Sequence, residues 1–115
     1  MDENFTPQER IRKKKDFLHI YKKGKRYRGK YFVLIYLSNE LTFSRVAVVA
    51  SKKLGNAVQR NRTKRWLRTL FRRNKKLLKR PFDMIFIPRR EIHEAEWQGL
   101  ANDYQAALKS IHRKS

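Results

Sequence analysis

The most regular hydrophobic pattern of this chain lies near its C-terminal end, where apolar side chains recur at spacings of three and four. Glu94, Glu96, Asp103 and Lys109 lie off that apolar stripe. The spacing matches one face of an α-helix. It predicts a C-terminal amphipathic helix whose packed face carries Trp97, Leu100, Tyr104, Ala107, Leu108 and Ile111.

Three shorter segments have the composition of β-strands. Residues 31–37 and 45–50 are rich in β-branched and aromatic side chains, and residues 38–42 between them have the polar composition of a hairpin loop. Residues 84–87 form a short apolar run between two prolines, which favours a buried strand.

Two more helices are predicted from apolar spacing and from capping residues. Phe17, Ile20 and Tyr21 are spaced for one face of a helix over residues 13–23, which Gly24 ends. A second, longer helix is expected from residue 56 to about residue 74, as described below. The order is therefore a helix, two or three strands, a helix, a strand and a helix.

This order of elements predicts the α+β class. We expect a small two-layer α/β sandwich of ribosomal-protein type, in which a mixed sheet of about four strands packs with three helices in the order αβββαβα. The chain has 115 residues and shows no internal repeat or Gly/Ser-rich linker, so residues 1–115 are predicted to form a single domain.

The charge of the chain indicates its class of partner. There are 30 Lys and Arg against 10 Asp and Glu, a formal net charge of +20, concentrated in residues 10–30 and 52–80. Such a field favours polyanions, with nucleic acid first. The absence of Cys excludes disulfides and Cys-ligated zinc and fits a reducing cytoplasm, where we place the protein. No apolar run approaches a membrane span or a signal peptide, and no membrane partner is expected.

The second helix carries the strongest candidate for a binding surface. Asn56 is a good N-cap residue, and Gln59 stands at the third helical position of a capping box. Further along this helix, the side chains within an arc of about 140° around the helix axis are mostly cationic. The opposite side of the helix carries Thr63, Trp66, Leu67 and Leu70. No carboxylate neutralises that arc, which suits phosphate contacts better than a merely solvated basic helix. Its members are Arg60, Asn61, Lys64, Arg65, Arg68 and Arg72.

The chain offers no catalytic constellation of its own. His19, His93 and His112 are scattered over three segments, and no metal-ligand spacing is present. The acidic residues of the last third, such as Glu91, Glu94 and Asp103, are interpreted as solvated positions of the C-terminal helix. A nuclease that works alone is therefore not predicted.

Two motifs resemble the protein subunit of bacterial ribonuclease P. Residues 51–65 read Ser-Lys-Lys-Leu-Gly-Asn-Ala-Val-Gln-Arg-Asn-Arg-Thr-Lys-Arg, with the Arg-Asn-Arg hallmark of that family at residues 60–62 and Arg68 following. The run from Asp16-Phe17 through Tyr21 to Gly24 is similar to the N-terminal pattern of the family.

The resemblance implies a subunit that helps a catalytic RNA to remove the 5′ leader from precursor tRNA, with an unusual left-handed βαβ crossover in its fold. Residues 1–115 would act as a single RNA-binding domain, while the RNA subunit would supply the active site and bind most of the Mg²⁺. No metal ligand is assigned to the protein, whose residue spacing offers no structural metal site. The implied partners are ribonuclease P RNA and precursor tRNA, with no DNA. The implied contacts to the catalytic RNA are Arg60, Asn61, Arg62, Lys64, Arg65 and Arg68. The implied leader contacts are Phe17, Tyr21, Tyr31, Val33, Ile35, Lys52 and Lys53.

Other interpretations remain open at this point. A structural ribosomal RNA-binding protein would have the same basic composition and a similar sandwich, and it is the main alternative. Phe17 and Tyr21 also fit ordinary core packing of an amphipathic helix. Ile35 cannot stack on a base as an aromatic ring does, so it could simply fill the face of the sheet.

Overall fold

The computed structural model describes residues 7–114 of the chain. Its helices and strands follow the predicted order αβββαβα, with one 3-10 turn before them and three between them. The elements are α1 (Lys14–Lys23), β1 (Lys25–Arg28), β2 (Phe32–Ser38), β3 (Arg45–Val48), α2 (Ala57–Asn74), β4 (Phe82–Pro88) and α3 (Trp97–Lys114). The 3-10 turns are Pro7–Glu9, Lys52–Leu54, Lys75–Leu77 and Arg90–Glu94.

The four strands form one mixed sheet in the spatial order β1-β2-β4-β3. β2 is antiparallel to β1 and to β4, and Val33 is opposite Ile87 in the latter pair. β3 is parallel to β4, so β3, α2 and β4 form a βαβ unit. The left-handed path of this crossover stays a prediction.

One sequence prediction about the sheet is wrong. Residues 38–42 do not close a hairpin between β2 and β3, because β4 lies between these two strands. The tight hairpin of the sheet joins β1 to β2 instead. β4 has the most buried run of the sheet, with residues 82–86 all buried, and the central position lets it pair on both edges.

Side chains on opposite faces of the sheet belong to two separate core clusters. The larger one packs α2 and α3 against residues such as Phe32, Leu34 and Phe86. The smaller one holds Ile20 of α1 against Ile35 and Ile85. The sheet with α2 and α3 thus forms the expected sandwich, and α1 covers part of the remaining face.

A partly buried ion-pair network fixes α1 and β3 to the central strand. Arg45 binds Asp83 with both ends of its guanidinium, at 2.9 Å from Nε and 2.7 Å from Nη2. Its Nη1 reaches Asp16 on α1 at 3.3 Å. Hydrogen bonding to Asp83 is the main cause of a raised pKa of Arg45. Asp83 therefore has a structural role as the ion-pair partner of Arg45, a pairing that the sequence alone did not indicate.

Two more acidic residues differ from the sequence interpretation. Glu91 and Glu94 precede the C-terminal helix, in the 3-10 turn Arg90–Glu94. Asp103 is on α3 but is not merely solvated, since its carboxylate accepts hydrogen bonds from the Tyr31 backbone N–H at 2.9 Å and from Tyr27 Oη at 3.4 Å. It ties α3 to the turn between β1 and β2.

Candidate RNA interface

The start of α2 has the predicted capping box. The Asn56 side chain accepts a hydrogen bond from Gln59 N at 2.8 Å, and Gln59 Oε1 accepts one from Asn56 N at 3.0 Å. Gly55 has φ +159°, and a Cβ there would collide with Gln59 Oε1. Arg60 Nη1 donates to Gly55 O at 2.6 Å. Part of the Arg60 guanidinium therefore holds the turn that starts the helix.

The polar side of α2 brings most of the predicted cations together. A shallow depression is lined, with Thr69, by Asn61, Lys64, Arg65, Arg68 and Arg72. The opposite side of the helix is buried at Thr63, Leu67, Leu70 and Phe71. The amphipathic division predicted from the sequence is confirmed, and we call this side the α2 cationic face.

The electrostatics of this face favour an anionic partner. The pKa of Arg68 is lowered, first by its partial burial and then by the positive charge of Arg10. No acidic residue occurs in α2. A phosphate placed here would relieve repulsion between like charges that nothing on the helix itself neutralises.

Arg62 lies apart from the α2 cationic face. Its guanidinium is stacked 4.2 Å from the centroid of the Trp66 ring, which in turn meets Trp97 edge-on at 5.5 Å. Arg73 lies 5.8 Å over the Trp97 ring. The sequence placed Trp66 only among packing residues, yet the structure shows that its ring also orients an arginine of the hallmark motif.

The other candidate surface is the apolar face of the sheet beside α1, and we call it the groove between α1 and the sheet. Phe17 and Tyr21 are half-buried against the smaller core cluster, with ring centroids 6.2 Å apart, and Val33 is half-buried on β2. Sequence reasoning missed the four other partly buried apolar residues of this cluster, which are Leu37, Ala47, Val49 and Ile87. Strand alternation in residues 45–49 and 85–87 was the signal available for the last three of them.

Two predicted leader contacts do not join this groove. Ile35 is only 2% exposed and packs beneath Ile20, so it presents no surface. Tyr31 packs against the larger core cluster, and its hydroxyl lies near Gly99 of α3. Tyr31 lies just before β2, in the turn whose backbone donates to the Asp103 carboxylate. This contact holds it on the α3 side of the sheet.

Lys52 and Lys53 are exposed in the turn that follows β3. Leu54 anchors the turn by its buried side chain and by its carbonyl oxygen, 2.5 Å from His93 Nε2. Val49 N donates to Phe86 O at 2.9 Å just before this turn. The two lysines are therefore at the end of the sheet where Val33 pairs with Ile87.

Within residues 7–114, no cluster of three or more His, Cys, Asp and Glu side chains is arranged to hold a metal ion. In the same part of the chain, no helix has both the length and the apolar character needed to cross a membrane.

Comparison with known proteins shows the family of the chain. The sequence model of the family described as Ribonuclease P matches residues 5–112. The chain belongs to the ribonuclease P protein family. The ribonuclease P protein component of Thermotoga maritima is 45% identical over 94 residues, which cover 82% of this chain and 80% of that protein. That of Syntrophus aciditrophicus is 46% identical over 79 residues, 69% of this chain and 66% of that protein.

Solved structures of ribonuclease P proteins share the fold. The Thermotoga maritima protein superimposes with a TM-score of 0.79 at 37% identity, over 89% of this chain and 96% of that one. The Staphylococcus aureus protein gives a TM-score of 0.80 at 36% identity, over 90% and 94% of the two chains. The chain is thus a protein component of ribonuclease P, the ribonucleoprotein enzyme that processes the 5′ end of precursor tRNA. Family membership implies association with ribonuclease P RNA and precursor tRNA, and it decides against the ribosomal alternative.

Proposed function

We propose that the protein joins two RNAs by two surfaces on opposite sides of its sheet. The α2 cationic face binds the catalytic RNA, and the groove between α1 and the sheet binds the single-stranded 5′ leader. The observation that carries this proposal is the division of the core: α2 packs on one face of the sheet, while α1 covers only part of the other. Both surfaces are therefore available at once.

The α2 cationic face has the chemistry of a phosphate-binding surface. Arg65 is exposed, while Lys64, Arg68 and Arg72 are half-buried around the same depression. Guanidinium groups grip phosphate oxygens in pairs, and helical packing on the far side holds them in register. Asn61 adds a donor and an acceptor for a base edge or a ribose hydroxyl. Arg60 and Arg62 contribute from the helix start and from the Trp66 side.

The groove has the chemistry of a surface for single strands of any sequence. Aromatic rings stack on every base, and basic side chains follow the backbone. Phe17 and Tyr21 supply the rings, Val33 supplies floor, and Lys52 and Lys53 meet the strand at the end of the sheet. Tyr31 and Ile35 are outside the groove and carry no leader contact in this proposal.

We assign the catalytic Mg²⁺ ions to the RNA subunit. Mg²⁺ takes oxygen ligands, whereas the two surfaces consist chiefly of guanidinium, ammonium, aromatic and aliphatic groups. The contribution of the protein is affinity for both RNAs and the placement of the leader beside the ribozyme.

The test is leader-dependent binding by the assembled holoenzyme. We expect Phe17→Ala and Tyr21→Ala each to weaken binding of precursor tRNA by about 1 to 3 kcal/mol per lost stack, with binding of mature tRNA unchanged. Dissociation constants for both tRNAs at fixed salt and Mg²⁺ give the comparison.

Leu18→Ala is the matched control, because Leu18 is 57% exposed on the outer side of the same helix. It should bind precursor tRNA as the wild type does. Equal losses for precursor and mature tRNA would show that the two rings are structural and that the leader lies elsewhere.

A further inference from the structure

The turn that carries Lys52 and Lys53 has little to hold it from within. It is a 3-10 turn of three residues, Lys52–Leu54, and Ser51 gives it no side-chain cap in the part of the chain that the structure describes. Leu54 N donates to Ser51 O at 3.0 Å, but hydrogen-bond geometry in a 3-10 turn is poorer than in an α-helix. Both lysines are exposed. Contacts from other segments therefore decide where the turn holds them.

Two neighbouring carbonyl oxygens at the end of this turn are held by two different elements. Arg60 Nη1 of α2 donates to Gly55 O at 2.6 Å. The Leu54 carbonyl oxygen lies 2.5 Å from His93 Nε2, which comes from the segment before α3. Because a carbonyl oxygen only accepts, His93 Nε2 carries the proton and donates it to this hydrogen bond.

His93 is itself firmly anchored. It follows Ile92 in the 3-10 turn Arg90–Glu94, and Ala95 ends that turn. Ile92 and Ala95 are 4% and 5% exposed and belong to the larger core cluster. Ala95 N donates to Ile92 O at 3.2 Å across His93. The imidazole is therefore a donor fixed to the core, and it reaches a turn that lies 39 residues earlier in the chain.

We propose that His93 is a positioning residue for the 5′ leader. By donating to Leu54 O it holds the turn in one place at the end of the groove, so that Lys52 and Lys53 meet the leader backbone there. The inference rests on the proposed leader role of these two lysines. A mobile turn would lose backbone freedom when its lysines bind phosphate, whereas a turn that is already held has lost that freedom beforehand. The hydrogen bond thus raises the affinity for precursor tRNA although His93 does not touch the RNA.

The first experiment measures amide hydrogen exchange at Leu54 in the full-length protein without RNA. His93→Ala should speed this exchange by about five-fold or more, because the turn opens more easily without the hydrogen bond. His93→Gln should restore part of the protection, since its side-chain amide can donate to the same oxygen. The matched control is His19→Ala, which removes an exposed histidine from α1 and should leave the exchange unchanged. Wild-type exchange in His93→Ala would overturn the proposal.

The second experiment determines whether His93 acts through the two lysines. Holoenzymes assembled with each variant are titrated with precursor tRNA and with mature tRNA at fixed salt and Mg²⁺. His93→Ala should weaken binding of precursor tRNA by about two- to ten-fold, the range of one net hydrogen bond, with mature tRNA unchanged. In the Lys52→Ala/Lys53→Ala background, the same substitution should have no further effect, because the groups that it positions are gone.

The outcomes separate a positioning role from a general weakening of the fold. A general weakening would lower the affinity for precursor tRNA by the same factor in both backgrounds, and this result would overturn the proposal. Unchanged precursor binding in His93→Ala, where the lysine variant does lose affinity, would overturn it as well. If Lys52→Ala/Lys53→Ala binds precursor tRNA as the wild type does, the leader role of the lysines is refuted. The exchange measurement, which uses no RNA, still decides whether His93 holds the turn.

Discussion

Arg65→Ala tests whether the α2 cationic face contacts RNA phosphates. Arg65 is exposed beside the depression that Lys64 and Arg68 also line, and no carboxylate on α2 competes for it. Each phosphate that a protein neutralises contributes about 0.9 to the slope of log affinity against log salt. Losing one contact therefore reduces the magnitude of this slope by about 0.9. When salt rises from about 50 to about 200 mM, the affinity of the variant should then fall about 3.5-fold less than that of the wild type. The loss of affinity is therefore largest at low salt.

The assay measures the dissociation constant for ribonuclease P RNA over a range of salt concentrations. Arg65→Lys keeps the charge but not the planar fork, so we expect the wild-type slope with a lower affinity. Lys109→Ala removes an exposed cation from α3 and should leave the slope unchanged. If Arg65→Ala also keeps the wild-type slope, the reasoning that places RNA on this face is refuted.

Two further predictions concern aromatic residues. Trp66→Leu removes the ring on which Arg62 stacks, so RNA affinity should fall by about two- to five-fold while the salt slope stays that of the wild type, and Trp66→Phe should restore part of the loss. Tyr104 is buried and its Oη has no partner in the described chain, so Tyr104→Phe should stabilise the fold by about 1 kcal/mol in urea unfolding near pH 7. Burial raises the pKa of Tyr104 above its usual 10.0, so the unfolded chain loses this proton first, and native stability should fall by up to about 1.4 kcal/mol per pH unit above about pH 10. That fall should be smaller in Tyr104→Phe, and an equal fall would contradict the assignment.

The helices could be predicted from the sequence because their determinants are local. The Asn56 and Gln59 capping box joins groups three residues apart, and the apolar spacing of α3 depends only on its own turns. The α2 cationic face could be predicted for the same reason. A helical period alone tells which side chains share a side of the helix.

The contacts between distant segments were decided by the tertiary structure. Strand order depends on pairing between segments far apart in the chain, so sequence proximity wrongly predicted a hairpin of β2 with β3 and could not show β4 between them. The same limit explains the groove. Phe17 and Tyr21 could be proposed, but Ala47, Val49 and Ile87 join them in one apolar cluster only through the order of the strands. Alternation along a strand tells which side chains share a face of the sheet, whereas the topology decides which helix covers that face.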